Sequence, residues 1–173
     1  MRPISSIILV SLYLVTVHIA HAATSELPPH TNQLLPRVHA YFACYRDGRF
    51  KDVVNLQKAR FRDDPDHREK DIAFFRENHR EVRLKSWQVT TIHVLGDHAR
   101  VTQTTSSTAK NPSSGKWEDV SGGQMVTCWI YESSAWFIDP ICDIQWVDTA
   151  AISVPVSEAD GRGDSTRRCA VRP

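Results

Sequence analysis

The chain has 173 residues, 24% of them charged, and its 21 Lys and Arg residues nearly balance its 20 Asp and Glu residues. A balanced chain has no overall basic field, so we expect no nucleic-acid partner. The length favours one domain that is large enough to bury a hydrophobic core.

Residues 1–22 have the pattern of a secretory signal peptide. Arg2 gives a positive start, Ile7–Ala20 is an apolar run, and Ala-His-Ala at residues 20–22 fits a signal-peptidase site. The run is shorter than the roughly 20 residues that a membrane span needs. We therefore predict a secreted or periplasmic protein with no stable membrane span after cleavage.

Helices are predicted in the first half of the mature chain. Residues 23–31 are polar and rich in Pro, and are expected to form a disordered leader. A domain over residues 32–149 then begins with a helix from Asn32 to about Asp47, which Gly48 ends. The apolar stripe of this helix consists of Leu34, Leu35, Val38, Tyr41, Phe42 and Tyr45. A short second helix turns four apolar residues inward, namely Phe50, Val53, Val54 and Leu56.

The third predicted helix has a clear start signal. Asp64 can cap it and Pro65 suits its first position, because the ring fixes a helical φ and the missing N–H has no partner there. The pattern continues to about Glu81, with Ile72 and Phe75 as the expected anchors.

The apolar period then changes from about 3.6 to 2, which indicates strands. Lys85–Leu95 and His98–Thr108 should form a hairpin around a tight turn, with Ile92 opposite Val101. His93 would then lie on the opposite face of this hairpin.

A second hairpin is predicted from Trp117–Tyr131 and Ala135–Asp148, with Trp129 opposite Ile138. Two adjacent glycines, at 122 and 123, indicate a bulge or bend in the longer strand. The fold class is therefore α+β, with three N-terminal helices packed on a curved antiparallel sheet of four or more strands.

Residues 150–173 are polar and without periodicity, so they are predicted to form a flexible tail. Arg162, Gly163 and Asp164 make up the core of a cell-adhesion sequence in this tail. The tripeptide recurs by chance, so adhesion is a secondary hypothesis that requires the motif to be exposed.

Four cysteines follow the signal segment: Cys44, Cys128, Cys142 and Cys169. An even number in an exported chain favours disulfides, and four cysteines allow three full pairings. A bridge between Cys128 and Cys142 would need a bulge near Pro140, and buried free thiols are the alternative. No cysteine and histidine spacing is typical of zinc, and the sequence predicts no metal and no cofactor.

Three stretches resemble the nuclear-transport-factor-2-like superfamily: Tyr41–Leu56, Trp87–Val101 and Trp129–Ile138. The likeness extends over roughly Leu34–Trp146. It implies a cone-shaped α+β fold with a pocket between the first helix and the concave sheet. Members include ketosteroid isomerases, scytalone dehydratase and polyketide cyclases, as well as domains that only bind or assemble.

The resemblance also implies candidate catalytic residues. Tyr41 lies seven residues before Gly48, the spacing at which ketosteroid isomerases place a tyrosine that donates to an oxyanion. Asp64 nearly matches the position of their catalytic base, although a role as helix cap also explains this residue. The third catalytic residue of those enzymes is an acid that would lie near Cys128, and no acid is present there. His93 is an alternative acid or base, of the kind that scytalone dehydratase pairs with an aspartate.

Aromatic residues could line the pocket: Tyr41, Tyr45, Trp87, Trp129 and Trp136. The sequence therefore predicts a non-catalytic domain that binds a small apolar molecule or a protein partner. The alternatives are an isomerase, dehydratase or cyclase, and an envelope assembly or host-contact protein. A homodimer through the sheet is a further prediction.

Overall fold

The computed structural model describes residues 28, 30–142, 151–164 and 166–169. A 3-10 turn at Thr31–Gln33 leads into the helices, which are α1 (Leu34–Arg46), α2 (Phe50–Asn55), α3 (Ala59–Arg62), α4 (Pro65–Glu81) and α5 (Glu158–Gly161). The strands are β1 (Val82–Leu95), β2 (His98–Lys110), β3 (Trp117–Glu132), β4 (Ala135–Asp139), β5 (Ile152–Val154) and β6 (Arg162–Gly163).

Local sequence explains where the two longer helices begin and end. Gly48 follows α1 with φ = 70°, a left-handed conformation that glycine adopts without a steric penalty. Before α4, an oxygen of Asp64 accepts hydrogen bonds from the backbone N–H groups of Asp66 and His67, and Pro65 is the first helical residue. The predicted cap is therefore confirmed, while the short α3 was not predicted.

The strands form one antiparallel sheet in the order β4-β3-β2-β1-β5, with β6 also paired to β1. Both predicted hairpin registers are confirmed, since Ile92 pairs with Val101 and Trp129 with Ile138. The predicted bulge is confirmed as well, because the β2–β3 register shifts at Gly122. Together with two shifts between β1 and β2, it bends the sheet around α1.

The core lies between α1 and the concave face of the sheet. Fully buried apolar residues come from both sides, including Leu34, Val38, Val94, Val101 and Trp136. Each such side chain contributes roughly 1.5–3 kcal/mol when it leaves water. This is the α+β cone that the resemblance implies, with α4 covering one side of its open end.

The C-terminal segment differs from the prediction of a flexible tail. Val154 pairs with Ile92 and Gly163 with Trp87, so this segment adds two short strands to the edge of the sheet. Arg46 of α1 donates to the backbone carbonyls of Asp164 and Arg167. We call residues 151–169 the C-terminal strap. The polar composition of the strap did not predict that its backbone groups form hydrogen bonds with β1 and α1.

The adhesion sequence belongs to this strap rather than to a free tail. Gly163 is buried against the Trp87 indole, and a Cβ atom at this position would lie 2.0 Å from a ring carbon. Asp164 accepts from the backbone N–H and the hydroxyl of Thr166. Arg162 is exposed but Gly163 is buried, so the tripeptide is not exposed as a whole, and packing against the indole explains the glycine.

The predicted leader is ordered at its end. The His30 ring stacks on Tyr131 with centroids 3.7 Å apart, and the His30 carbonyl accepts from the Trp136 indole at 3.0 Å.

The signal segment at residues 1–22 lies outside the described residues. Trp146 and the predicted strand residues after Cys142 also lie outside them.

Two disulfides join all four cysteines. Cys44 pairs with Cys169 and Cys128 with Cys142, with Cα–Cα distances of 4.4 and 5.3 Å. The alternative of free thiols is therefore wrong, and the pairing suggests an oxidising, non-cytoplasmic environment. Among the described residues, no helix has the length and apolar character needed to cross a membrane.

Candidate ligand site at the mouth of the cone

Two adjoining cavities lie at the open end of the cone, between α1, α4 and the sheet. They share a wall formed by Tyr41, Phe74 and Phe75. The first, which we call the acidic cavity, has a volume of about 290 Å³, and its other lining residues include Gln57, Asp71, Thr127, Asp139 and the Cys128–Cys142 disulfide. The second, which we call the apolar cavity, has a volume of about 250 Å³, and its other lining residues include Tyr45, Val82, Leu84 and Met125.

Tyr41 reaches both cavities from α1. Its ring packs edge to face against Phe42 and Trp129, with centroids 5.3 and 6.0 Å away. Burial raises the pKa of its phenol, and the nearby Tyr45 and Asp71 raise that pKa further. The hydroxyl therefore stays protonated at neutral pH and can donate a hydrogen bond to a ligand oxygen.

Gln57 supplies an acceptor without a partner. It follows α2, it is 2% exposed, and its Nε2 donates to Asp71 Oδ2 at 2.9 Å. An ionised carboxylate only accepts, so this bond fixes the orientation of the amide and leaves Oε1 as the other atom. Within the described part of the chain Oε1 is buried and has no hydrogen-bond partner. Such a group costs about 1–3 kcal/mol unless a bound molecule satisfies it.

The two aspartates of the acidic cavity differ in their surroundings. Asp139 has a side chain that is 4% exposed, and its charge is compensated by Lys58 at 3.1 Å. Its other oxygen accepts from the backbone N–H of Ile141. Asp71, in contrast, has Gln57 as its hydrogen-bond partner and makes no ion pair with the described Lys, Arg and His residues.

The predicted pocket residues divide into two groups. Tyr41 and Tyr45 line the cavities, whereas Trp87, Trp129 and Trp136 lie in the core and line neither cavity. Each of these indoles donates to a protein acceptor: Trp87 to His39 Nδ1, Trp129 to Thr127 Oγ1 and Trp136 to the His30 carbonyl. Buried indoles need such partners, which explains their place in the core.

Two of the predicted catalytic residues lie away from Tyr41. Asp64 is the exposed cap of α4, where His67 also bonds to it. His93 lies on the outer face of the sheet, and its Nδ1 is 3.0 Å from the hydroxyl of Ser153 on β5. Neither lines the acidic or the apolar cavity, because capping and strand alternation direct both side chains elsewhere.

A buried histidine on α1 has a structural role. His39 Nδ1 accepts from the Trp87 indole at 2.9 Å, so the proton is on Nε2, which donates to the Asp160 carbonyl at 2.7 Å. Burial lowers the pKa of His39 to about 4. The ring is therefore neutral at pH 7 and joins α1 to both β1 and the C-terminal strap.

Sequence reasoning missed Gln57 and Asp71. The one available signal was spacing, because Asp71 lies four residues before Phe75, which was predicted to face the core. Gln57 gave no signal, since it lies in an irregular link between two helices.

No protein-family model and no curated protein matches the chain. The solved structures that are similar to it include the following three. A candidate dehydratase of the nuclear-transport-factor-2-like family from Streptomyces avermitilis has 15% identity and a TM-score of 0.47, over 63% of this chain and 90% of that one. A protein of unknown function from Mycobacterium tuberculosis has 15% identity and a TM-score of 0.45, over 64% and 72%.

The third structure is a candidate calcium/calmodulin-dependent protein kinase II association domain from Xanthomonas campestris. It has 17% identity and a TM-score of 0.42, over 57% of this chain and 76% of that one. One fold hosts many functions, so the side chains of the site carry the functional conclusion.

Proposed function

We propose that this chain is an exported, non-catalytic domain that binds a small molecule at the mouth of the cone, across the acidic and apolar cavities. The observation that carries this proposal is the exposure of apolar side chains around the two cavities. Phe74 is 62% exposed, Val126 52%, Met125 45% and Val82 42%. All four line one or both cavities, whereas most large apolar side chains in the described part of the chain are buried or half-buried.

Exposed apolar side chains that surround a concavity are typical of a ligand site. A bound molecule would cover Phe74 and Met125, and burying apolar surface contributes about 25 cal/mol per Å². The apolar side chains of the core below pack together, and its indoles are hydrogen-bonded to protein acceptors. The ligand would thus meet a preformed aromatic wall at its inner end.

The proposed export agrees with the two disulfides, which persist in oxidising compartments. It also agrees with the signal pattern at residues 1–22. A ligand site in an exported protein would meet molecules outside the cytoplasm.

The test is a binding titration of the disulfide-bonded protein with N-phenyl-1-naphthylamine, an apolar dye with a very weakly basic nitrogen that fluoresces in apolar sites. We expect saturable binding to the wild type and at least fivefold weaker binding to Phe74→Ser. The matched control is Val120→Ser, which also removes an exposed apolar side chain but lines neither cavity. Absence of dye binding to the wild type, or equal losses in both variants, would contradict the proposal.

A second candidate function is an isomerase or dehydratase that uses Tyr41 and Asp71. It is favoured because both side chains line the acidic cavity and Asp71 is close enough to raise the pKa of the Tyr41 phenol. Asp71 would take a proton from a carbon next to a carbonyl, and Tyr41 would donate a hydrogen bond to the resulting oxyanion.

This candidate is tested by deuterium exchange into small ketones in D₂O, followed by mass spectrometry. An enzyme would accelerate exchange at the carbon next to the carbonyl, and both Tyr41→Phe and Asp71→Asn would abolish the acceleration. Exchange at the rate of the buffer alone would reject catalysis on that class and leave the binding role intact.

A further inference from the structure

We infer that the ligand carries a protonated amine, which lies in the acidic cavity between the Asp71 carboxylate and the Gln57 side-chain oxygen. This inference rests on the proposed binding function and names the chemical class of its ligand.

The charge of the acidic cavity is the first argument. Among the described residues, its lining contains two aspartates and no Lys, Arg or His. Lys58 compensates Asp139, but Asp71 accepts only the neutral Gln57 amide and is left with an unpaired negative charge among the described residues. A cationic ligand group is attracted to that charge, and an anionic group is repelled by it.

The geometry of Gln57 is the second and independent argument. Its Oε1 is buried without a partner, and its Nε2 already donates to Asp71. Gln57 and Asp71 both line this cavity, and the hydrogen-bonding capacity that they leave unused is that of acceptors, namely Gln57 Oε1 and the carboxylate. An ammonium group carries three donors and no acceptor, so it can satisfy both at once. A hydrogen bond from a charged donor is also stronger than one from a neutral hydroxyl.

The aromatic wall is the third argument. Tyr41, Phe74 and Phe75 separate the acidic cavity from the apolar one. Aromatic faces attract cations, by about 0.5–1 kcal/mol at exposed sites and more in desolvated ones. The same wall continues into the apolar cavity, where it would contact the hydrocarbon body of the ligand. The site thus fits a small arylalkyl or alkyl amine.

The experiment compares three probes of one shape by isothermal titration calorimetry at pH 7. These are 2-phenylethylamine, the neutral 2-phenylethanol and the anionic 3-phenylpropanoate. We expect the amine to bind at least tenfold more tightly than the alcohol and the carboxylate to bind most weakly. Asp71→Asn should weaken amine binding at least tenfold and leave alcohol binding unchanged.

Glu69→Gln is the matched control, since it removes a carboxylate from the exposed face of the same helix and should change neither affinity. Gln57→Leu serves as a second variant should Asp71→Asn fail to fold. It removes the unpartnered oxygen and should weaken amine binding severalfold without affecting the alcohol.

The failures of the two proposals are distinguishable. If alcohol and amine bind equally, or if Asp71→Asn and Glu69→Gln have equal effects, the inference of an amine is overturned while the binding function stands. If none of the three probes binds although the apolar dye does, the amine is likewise overturned. If the dye also fails to bind, both proposals fall.

Discussion

The indole N–H groups of the tryptophan core, which we call the closed end of the cone, and the Gln57–Asp71 pair at its open end differ in their hydrogen bonding. At the closed end, Trp129 and Trp136 are buried and the indole N–H of each is hydrogen-bonded to a protein acceptor. At the open end, Gln57 Oε1 has no partner among the described residues and Asp71 has no cation. The fold itself satisfies these two indoles, whereas under the proposed function a bound molecule would satisfy Gln57 Oε1 and Asp71. The contrast separates residues that stabilise the fold from residues available for function.

The largest effect on stability is expected at the closed end. Trp136→Ala would leave a cavity beside Tyr131 and remove the donor to the His30 carbonyl, so it should lower the free energy of unfolding by about 3–5 kcal/mol. Trp117→Ala is the control, because that side chain is 38% exposed and should cost less than about 1 kcal/mol. Urea unfolding followed by circular dichroism measures both. Similar losses in the two variants would remove the basis for the comparison.

A loss of about 2–5 kcal/mol is expected when the bridge to the C-terminal strap is removed. Cys169→Ser opens a disulfide that spans 125 residues of sequence and releases one end of the strap from α1. Thermal unfolding in oxidising buffer measures the loss. A melting temperature within 2 °C of that of the wild type would show that backbone pairing alone holds the strap.

The behaviour of these elements shows what the sequence could predict. The α4 cap and both hairpin registers depend on neighbours close in sequence, so Asp64-Pro65 and the alternation around Gly96 were sufficient. The strap pairs with a strand about 60–75 residues upstream, and its polar residues conceal that pairing. Tyr41 was proposed from the family resemblance, whereas the Gln57–Asp71 contact joins a loop to a helix and is visible only in three dimensions.

A pH-dependent effect of intermediate size is expected at His39. Its pKa of about 4 in the folded chain lies below the ordinary 6.5, so the unfolded chain binds the proton more readily. Stability from this group is fully present above pH 6.5 and is lost as the pH falls towards 4, at up to about 1.4 kcal/mol per pH unit. His39→Gln should flatten this part of the curve of unfolding free energy against pH. An unchanged slope in the variant would show that other groups titrate there.

The smallest stability effect is expected at the open end. Gln57→Leu removes an unpartnered buried oxygen, which is favourable, and also the hydrogen bond from Nε2 to Asp71, which is unfavourable. The two effects oppose each other, so the free energy of unfolding should change by less than about 1 kcal/mol in either direction. Chemical denaturation of ligand-free protein measures it. A loss above 2 kcal/mol would mean that Gln57 stabilises the fold, as Trp129 and Trp136 do.

The strap also determines when the protein can finish folding during biosynthesis. Residues 151–169 are synthesised after α1 and β1, yet they cover the edge of β1 and carry the cysteine that joins Cys44. A nascent chain that has not reached Ile152 therefore presents the β1 edge without these two partners, and open strand edges favour aggregation. Native oxidation must likewise wait for Cys169, so Cys44 remains available to mispair until Cys169 has been synthesised.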